Sequence, residues 1–166
     1  MIVIRRLMPG DETDLRAVRL RALADAPGNF LRTLAEEQSR PAVHWSDLLA
    51  APATAMFGLF DCAAIIGLTA AYTDRDDPSG TTAGFGMTWL DPAYRRRGLS
   101  ALFYAERIAW ARSTGLHRIR VGHRASNIAS GAAMRAAGFR PIGRRVHVWP
   151  DGVTEDEILH DLNLRG

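Results

Sequence analysis

Lysine is absent from this chain. All 21 basic residues among the 166 are arginine, and 18 acidic residues oppose them to leave a formal net charge of +3. The excess is small and dispersed, apart from Arg95-Arg96-Arg97 and Arg144-Arg145, so the concentrated basic face of a nucleic-acid binder is missing. Without lysine there is no G-x-x-x-x-G-K-[ST] phosphate loop, and no G-x-G-x-x-G occurs either. Cysteine is reduced to Cys62, which excludes an internal disulfide. No apolar run approaches the ~18 residues of a membrane-spanning helix. The opening MIVIRRLMPG carries charge inside it and has no signal-peptide layout. These absences predict a cytoplasmic protein, with no membrane and no nucleic-acid partner.

What is present suffices for a core. Hydrophobic residues make up 47% of the sequence, and the length fits one domain over residues 1–166. Ile2 to Leu7 reads as a strand ended by Pro9-Gly10-Asp11. Leu15, Val18, Leu20 and Leu23 recur at helical spacing between Asp11 and Ala24, with Asp11 or Thr13 as N-cap. Thr33 to Ala50 reads as helical, broken at Pro41, which lacks a backbone donor. Strands follow at 54–60, 63–73 and 81–90, then a helix from Leu99 to Ser113, a strand from His117 to Gly122, and a helix from Asn127 to Ala137 stopped by Gly138. Two last strands, 139–149 and 154–164, face each other across Pro150-Asp151-Gly152. Strands interleaved with helices in a short chain predict an α/β or α+β layered fold.

Two stretches carry chemistry. In LDPAYRRRGLSALF, residues 90–103, a strand ends, Pro92 stops ladder pairing, and a helix starts just after Arg95-Arg96-Arg97-Gly98. The first amides of a helix have no internal partner and lie at the positive end of its dipole, so they bind anions. Glycine permits close approach of the backbone, and arginines add charge-assisted hydrogen bonds. Alone, the stretch reads equally as a solvated arginine run. In SNIASGAAMRAAGF, residues 126–139, Asn127 occupies an N-cap position and Gly138 a C-cap position, with Asn127, Ser130 and Met134 along one side of the helix.

Together these stretches resemble the GNAT family of acetyl-CoA-dependent N-acetyltransferases, in its small, single-domain bacterial type. The family's pyrophosphate loop R/Q-x-x-G-x-G/A is matched by Arg95-Arg96-Arg97-Gly98-Leu99-Ser100, with serine in the last place. Its later asparagine, small residue and Gly-Phe are matched by Asn127, Ser130, Gly138 and Phe139, with Met134 at the usual tyrosine. The order of elements agrees over essentially the whole chain. The resemblance implies a mixed, mostly antiparallel sheet of about six or seven strands flanked by about four helices, splayed between strands 4 and 5, with acetyl-CoA in the opening and no metal. It implies pyrophosphate on the amides of Arg96, Arg97, Gly98, Leu99, Ser100 and Ala101. The backbones of Trp89 and Leu90 would pair with the pantetheine arm, Asn127 would bond to it, and Met134 would lie near the sulfur. Homodimerisation is a further family expectation.

Direct acetyl transfer in a ternary complex needs a neutral amine, which a general base supplies, and a proton donor assists the departing thiolate. The positions that relatives give to a glutamate base are Gly84 and Gly122 here, and a thioether at Met134 cannot donate a proton. Three explanations stand. His123 acts as base, directly or through water; positioning alone suffices; or the domain is a non-catalytic or weakly catalytic acyl-CoA-binding module. Ser130 and Ser126 are further polar candidates near the opening. The acceptor, a primary amine of unassigned identity, would be shaped by 29–45 and 144–154, which hold Phe30, Glu36, Glu37, His44, Trp45, His147 and Trp149. Acidic and aromatic groups suit a cationic amine, although Glu36, Glu37 and Gln38 read equally as a solvated helix face.

Overall fold

The apolar runs and turn residues resolve into one seven-stranded sheet. In the computed structural model, which describes residues 1–165, β1 (Ile2–Arg6) leads into α1 (Glu12–Asp25), α2 (Leu34–Gln38) and α3 (Ala42–Ala50). β2 (Thr54–Asp61), β3 (Ala64–Thr73) and β4 (Thr82–Leu90) follow, then α4 (Ser100–Ser113), β5 (Arg118–Arg124), α5 (Ile128–Ala136), β6 (Arg140–Val148) and β7 (Thr154–Asn163). Five α-helices form where about four were expected. Pro41, extended at the N-cap of α3, divides the predicted 33–50 stretch in two. Asp11 precedes α1 as expected, but its side chain does not cap the helix. It accepts from the Met8 amide at 2.8 Å and pairs with both terminal nitrogens of Arg5.

Strand order is β1-β2-β3-β4-β5-β7-β6, and every neighbouring pair is antiparallel except β4 with β5. That parallel pair is short. Thr82, Ala83 and Gly84 face Arg118, Ile119 and Arg120, and no further rungs join the strands, although β4 continues to Leu90 and β5 to Arg124. The sheet is splayed from this point on.

Period-2 alternation gives each sheet face its own core. On one face Leu15, Val18 and Leu23 of α1 and Trp45 of α3 bury against Leu68, Ala70 and Trp89. On the other, Tyr104 and Trp110 of α4 and Met134 of α5 bury against Ala83, Phe85, Ile119 and Val121. Each fully buried aliphatic side chain contributes about 1.5–3 kcal/mol of hydrophobic stabilisation. The first core lies on the half of the sheet containing β1 to β4, whereas the second spans the splay, since α4 packs against β2, β3, β4 and β5. Among the described residues no helix is long and apolar enough to cross a membrane.

Candidate active site

The chain leaves β4 through a short 3-10 turn, Pro92–Tyr94, which Asp91 caps by accepting from the Ala93 amide at 3.0 Å. Arg96 (φ 59°) and Gly98 (φ 74°) then take left-handed conformations on the way into α4. Among the described residues, the amides of Arg96, Arg97, Gly98, Leu99 and Ser100 donate no hydrogen bond. The Ala101 amide, expected in the same set, is already held by the Gly98 carbonyl at 3.2 Å. Free successive amides with left-handed residues, at the start of a 14-residue helix, are the arrangement by which backbone N–H groups receive anions. Nothing lies within 4 Å of an added Cβ at Gly98, so conformation rather than crowding favours glycine there.

The three arginines have separate roles. Arg95 turns inward: its Nε donates to the Leu90 carbonyl at 2.9 Å, and its guanidinium pairs with Asp25 of α1. Asp25 also accepts from Trp89 Nε1 at 2.9 Å, and these bonds, the Trp89 one foremost, hold its carboxyl below the usual carboxylate range. Arg97 donates to the Ala93 carbonyl and lies over the Tyr94 ring. The Arg96 side chain is exposed and makes no hydrogen bond among the described residues.

Beside the splay, β4 carries an irregularity. Its register against β3 passes from Gly86 opposite Ala70 to Trp89 opposite Leu68, and Met87 between them is left-handed (φ 56°). Arg107 of α4 secures this bulge. It is 1% exposed, donates to Thr88 Oγ1 at 2.8 Å, and stacks on Phe85 and Tyr104 with its carbon 4.1 and 4.6 Å from the ring centroids. Burial pulls its guanidinium down to about 10. Past the bulge, Trp89 and Leu90 line the cavity.

Across the opening, Asn127 caps α5 by accepting from the Ser130 amide at 3.2 Å. Met134 is buried with Tyr104 and Phe139. His123 is buried on the α5 face of β5. Its Nδ1 lies 2.8 Å from the Arg124 carbonyl, its Nε2 has no hydrogen-bond partner among the described residues, and its ring centroid is 5.2 Å from that of His160. Because a carbonyl only accepts, Nδ1 is the donor in this contact. His160 is pushed below its ordinary value, by burial first and then by His123.

A cavity of about 1080 Å³ runs through the splay, bordered by Met87, Leu90, Asn127, Ser130 and Met134 and reaching Phe30, Glu37 and His44 beneath α1. Glu37 is not on a solvated face. It is 3% exposed, 3.5 Å from Arg19 and 3.7 Å from His44, whereas Glu36 closes a capping box with Thr33. Trp149 is buried against Arg124 and stacks edgewise with His147 at 4.9 Å. Among the described residues, no cluster of three or more His, Cys, Asp or Glu could hold a metal ion.

The model of the Acetyltransferase (GNAT) family matches residues 20–139, a span containing both the amide cradle and the α5 cap. The chain belongs to the GNAT family. Its fold is that of a yncA protein from Salmonella typhimurium, described as a putative acetyltransferase with its cofactor acetyl-CoA (TM-score 0.83, 16% identity, 100% of this chain and 95% of that one). It is also that of a ribosomal-protein-alanine N-acetyltransferase from Brucella melitensis (0.81, 21%, 98% and 99%) and of Arabidopsis thaliana NAA60 in complex with acetyl-CoA (0.77, 15%, 100% and 100%). A search of curated proteins by sequence returns no match.

Several residues that line this cavity carry no signal in the sequence. Arg107 sits in an ordinary helical pattern, and only the fold places it behind the β4 bulge. Tyr72 and Glu157 lie over Gly84 and Gly122, far from them in the chain. Two glycines at the vertex of the splay were the one available hint.

Proposed function

We propose that this protein transfers the acetyl group of acetyl-CoA to a primary amine, by direct attack in a ternary complex. The observation that carries the reading is the row of free amides from Arg96 to Ser100, opening onto the splay between β4 and β5. A pyrophosphate fits these amides because they are unsatisfied, concave and at the positive end of α4. Trp89 and Leu90 would lie along the pantetheine arm, with Asn127 and Met134 on the opposite wall. The Leu90 amide would polarise the thioester carbonyl, where fixed donors are worth most. His123 and Ser130, which line the same cavity, would be further polar side chains on the α5 side of the opening.

Calorimetry with acetyl-CoA, followed by thiol release over a panel of amines, tests this reading. The panel comprises an alkyl diamine, a free α-amino acid, an aminoglycoside and a peptide with a free N-terminus. Binding in the micromolar range and amine-dependent thiol release are expected. Binding without release from any amine would make the protein a carrier of acyl-CoA instead. The missing lysines aid the assay, since no side-chain amine of the protein competes as acceptor.

A further inference from the structure

The vertex of the splay is built from two glycines whose space is filled from elsewhere. Gly84 is the last β4 residue paired to β5, and Gly122 lies two residues past the last paired residue of β5, Arg120. A Cβ added at Gly122 would lie under 3.0 Å from Oε1, Cδ and Cγ of Glu157. One added at Gly84 would meet the ring and hydroxyl of Tyr72 equally closely. Glu157 comes from β7, opposite Arg124 of β5, and Tyr72 from β3, opposite Gly84.

Glu157 is 8% exposed. Its Oε2 accepts from Arg145 Nε at 2.6 Å, while no hydrogen bond engages Oε1, the oxygen over Gly122, among the described residues. The carboxylate thus occupies the space that a side chain at 122 would fill. Five carboxylates line the cavity: Glu37, Asp74, Asp76, Asp77 and Glu157. Asp74 and Asp77 accept amides of their own loop, Asp76 shares that loop, and Glu37 is held between Arg19 and His44. His123 points to the other face of β5. Glu157 lies directly over Gly122, with its Oε1 in no hydrogen bond among the described residues.

We propose that Glu157 is the general base of acetyl transfer, reaching from β7 across Gly122 to the acceptor amine; the proposal rests on the function given above. The amine nitrogen forms a C–N bond to the acetyl carbon, the C–S bond breaks, and coenzyme A leaves as its thiolate. The nitrogen's proton passes to Oε1 of Glu157 and from there to solvent, which also protonates the thiolate. The groups facing Glu157 are Arg145 from β6, Arg124 from β5 and Tyr72 from β3. Both arginines stay charged at neutral pH, and burial, with Asp74 and Glu157 nearby, raises the Tyr72 phenol above its ordinary value. His123 and His44 line the same cavity, so an acid-side limb of the kcat profile is assigned by whether Glu157→Gln removes it.

The test compares wild type, Glu157→Gln, Glu157→Ala and the double variant Glu157→Ala/Gly122→Glu, using the panel amine that gives the fastest wild-type thiol release. Glu157→Gln should lower kcat about a hundredfold and abolish the acid limb, with the KM for acetyl-CoA within about twofold of wild type. The double variant puts a carboxylate into the vacated space from β5 and should recover at least about tenfold over Glu157→Ala. Turnover of Glu157→Gln within about threefold of wild type, with the acid limb kept, overturns the proposal. So does a loss matched by lost acetyl-CoA binding, which marks a structural role. If the single variants do not fold, a folded double variant that lacks the acid limb overturns it too. Wild-type protein inactive with every amine refutes instead the function on which the proposal rests.

Discussion

At the residue scale, absent side chains position present ones. A Cβ at Gly131 would come under 3.0 Å from Nε2 and Cε1 of His123, so α5 can lie over the histidine only because residue 131 has none. Gly131→Ala should push the ring off the Arg124 carbonyl and cost about 1–3 kcal/mol, measurable as a lower urea midpoint at unchanged m-value. The neighbouring His160 predicts a pH dependence. Its folded pKa lies below the unfolded value near ~6.5. The unfolded chain therefore binds the proton more tightly, and the contribution of neutral His160 is complete above ~6.5 and lost as pH falls through the folded pKa. Urea midpoints should drop from pH 7.5 toward pH 5, with a shallower slope in His160→Leu. Arg107 shows how a charge can be invisible as a core residue. Nothing in SALFYAERIAWARS separates it from the exposed Arg112, because the phenyl and phenol rings that surround it are a product of folding.

Among the elements, the most legible were those written in local code. Helical spacing of Leu15, Val18 and Leu23, the break at Pro41, and the cap pair Asn127 and Gly138 all act within a few residues, and each appears in the fold. The pairing of strands is not local. That β5 lies between β4 and β7, and stops pairing with β4 after Arg120, depends on both cores at once. The positions that depend on it, Glu157 over Gly122 and Tyr72 over Gly84, were therefore beyond sequence reasoning. The α5 cap also separates two roles of one side chain. Asn127→Asp retains an oxygen for the Ser130 amide, so unfolding free energy should stay within about 0.5 kcal/mol of wild type, whereas Asn127→Ala should lose about 1 kcal/mol. If the carboxamide also donates to pantetheine, calorimetry should show both variants binding acetyl-CoA more weakly, the aspartate variant despite its intact helix.

Across the whole molecule, the sheet is continuous in order but not in strength. Three paired positions connect the half containing β1 to β4 with the half containing β5 to β7. A ligand that binds only the folded state adds about 2.7 kcal/mol at a hundred times its dissociation constant, so acetyl-CoA should raise the thermal midpoint by several degrees. The gain should be local as well: hydrogen exchange at Ala83, Gly84 and Ile119 should slow more on saturation than exchange in β2. In mechanical terms the sheet is two plates whose strands meet at one short seam, backed on one face by α4, and a substrate lodged in the splay, as proposed, would brace that joint. On the proposed function, departure of coenzyme A would remove that brace, and a variant that lengthens the seam should slow turnover at release while leaving the chemical step untouched.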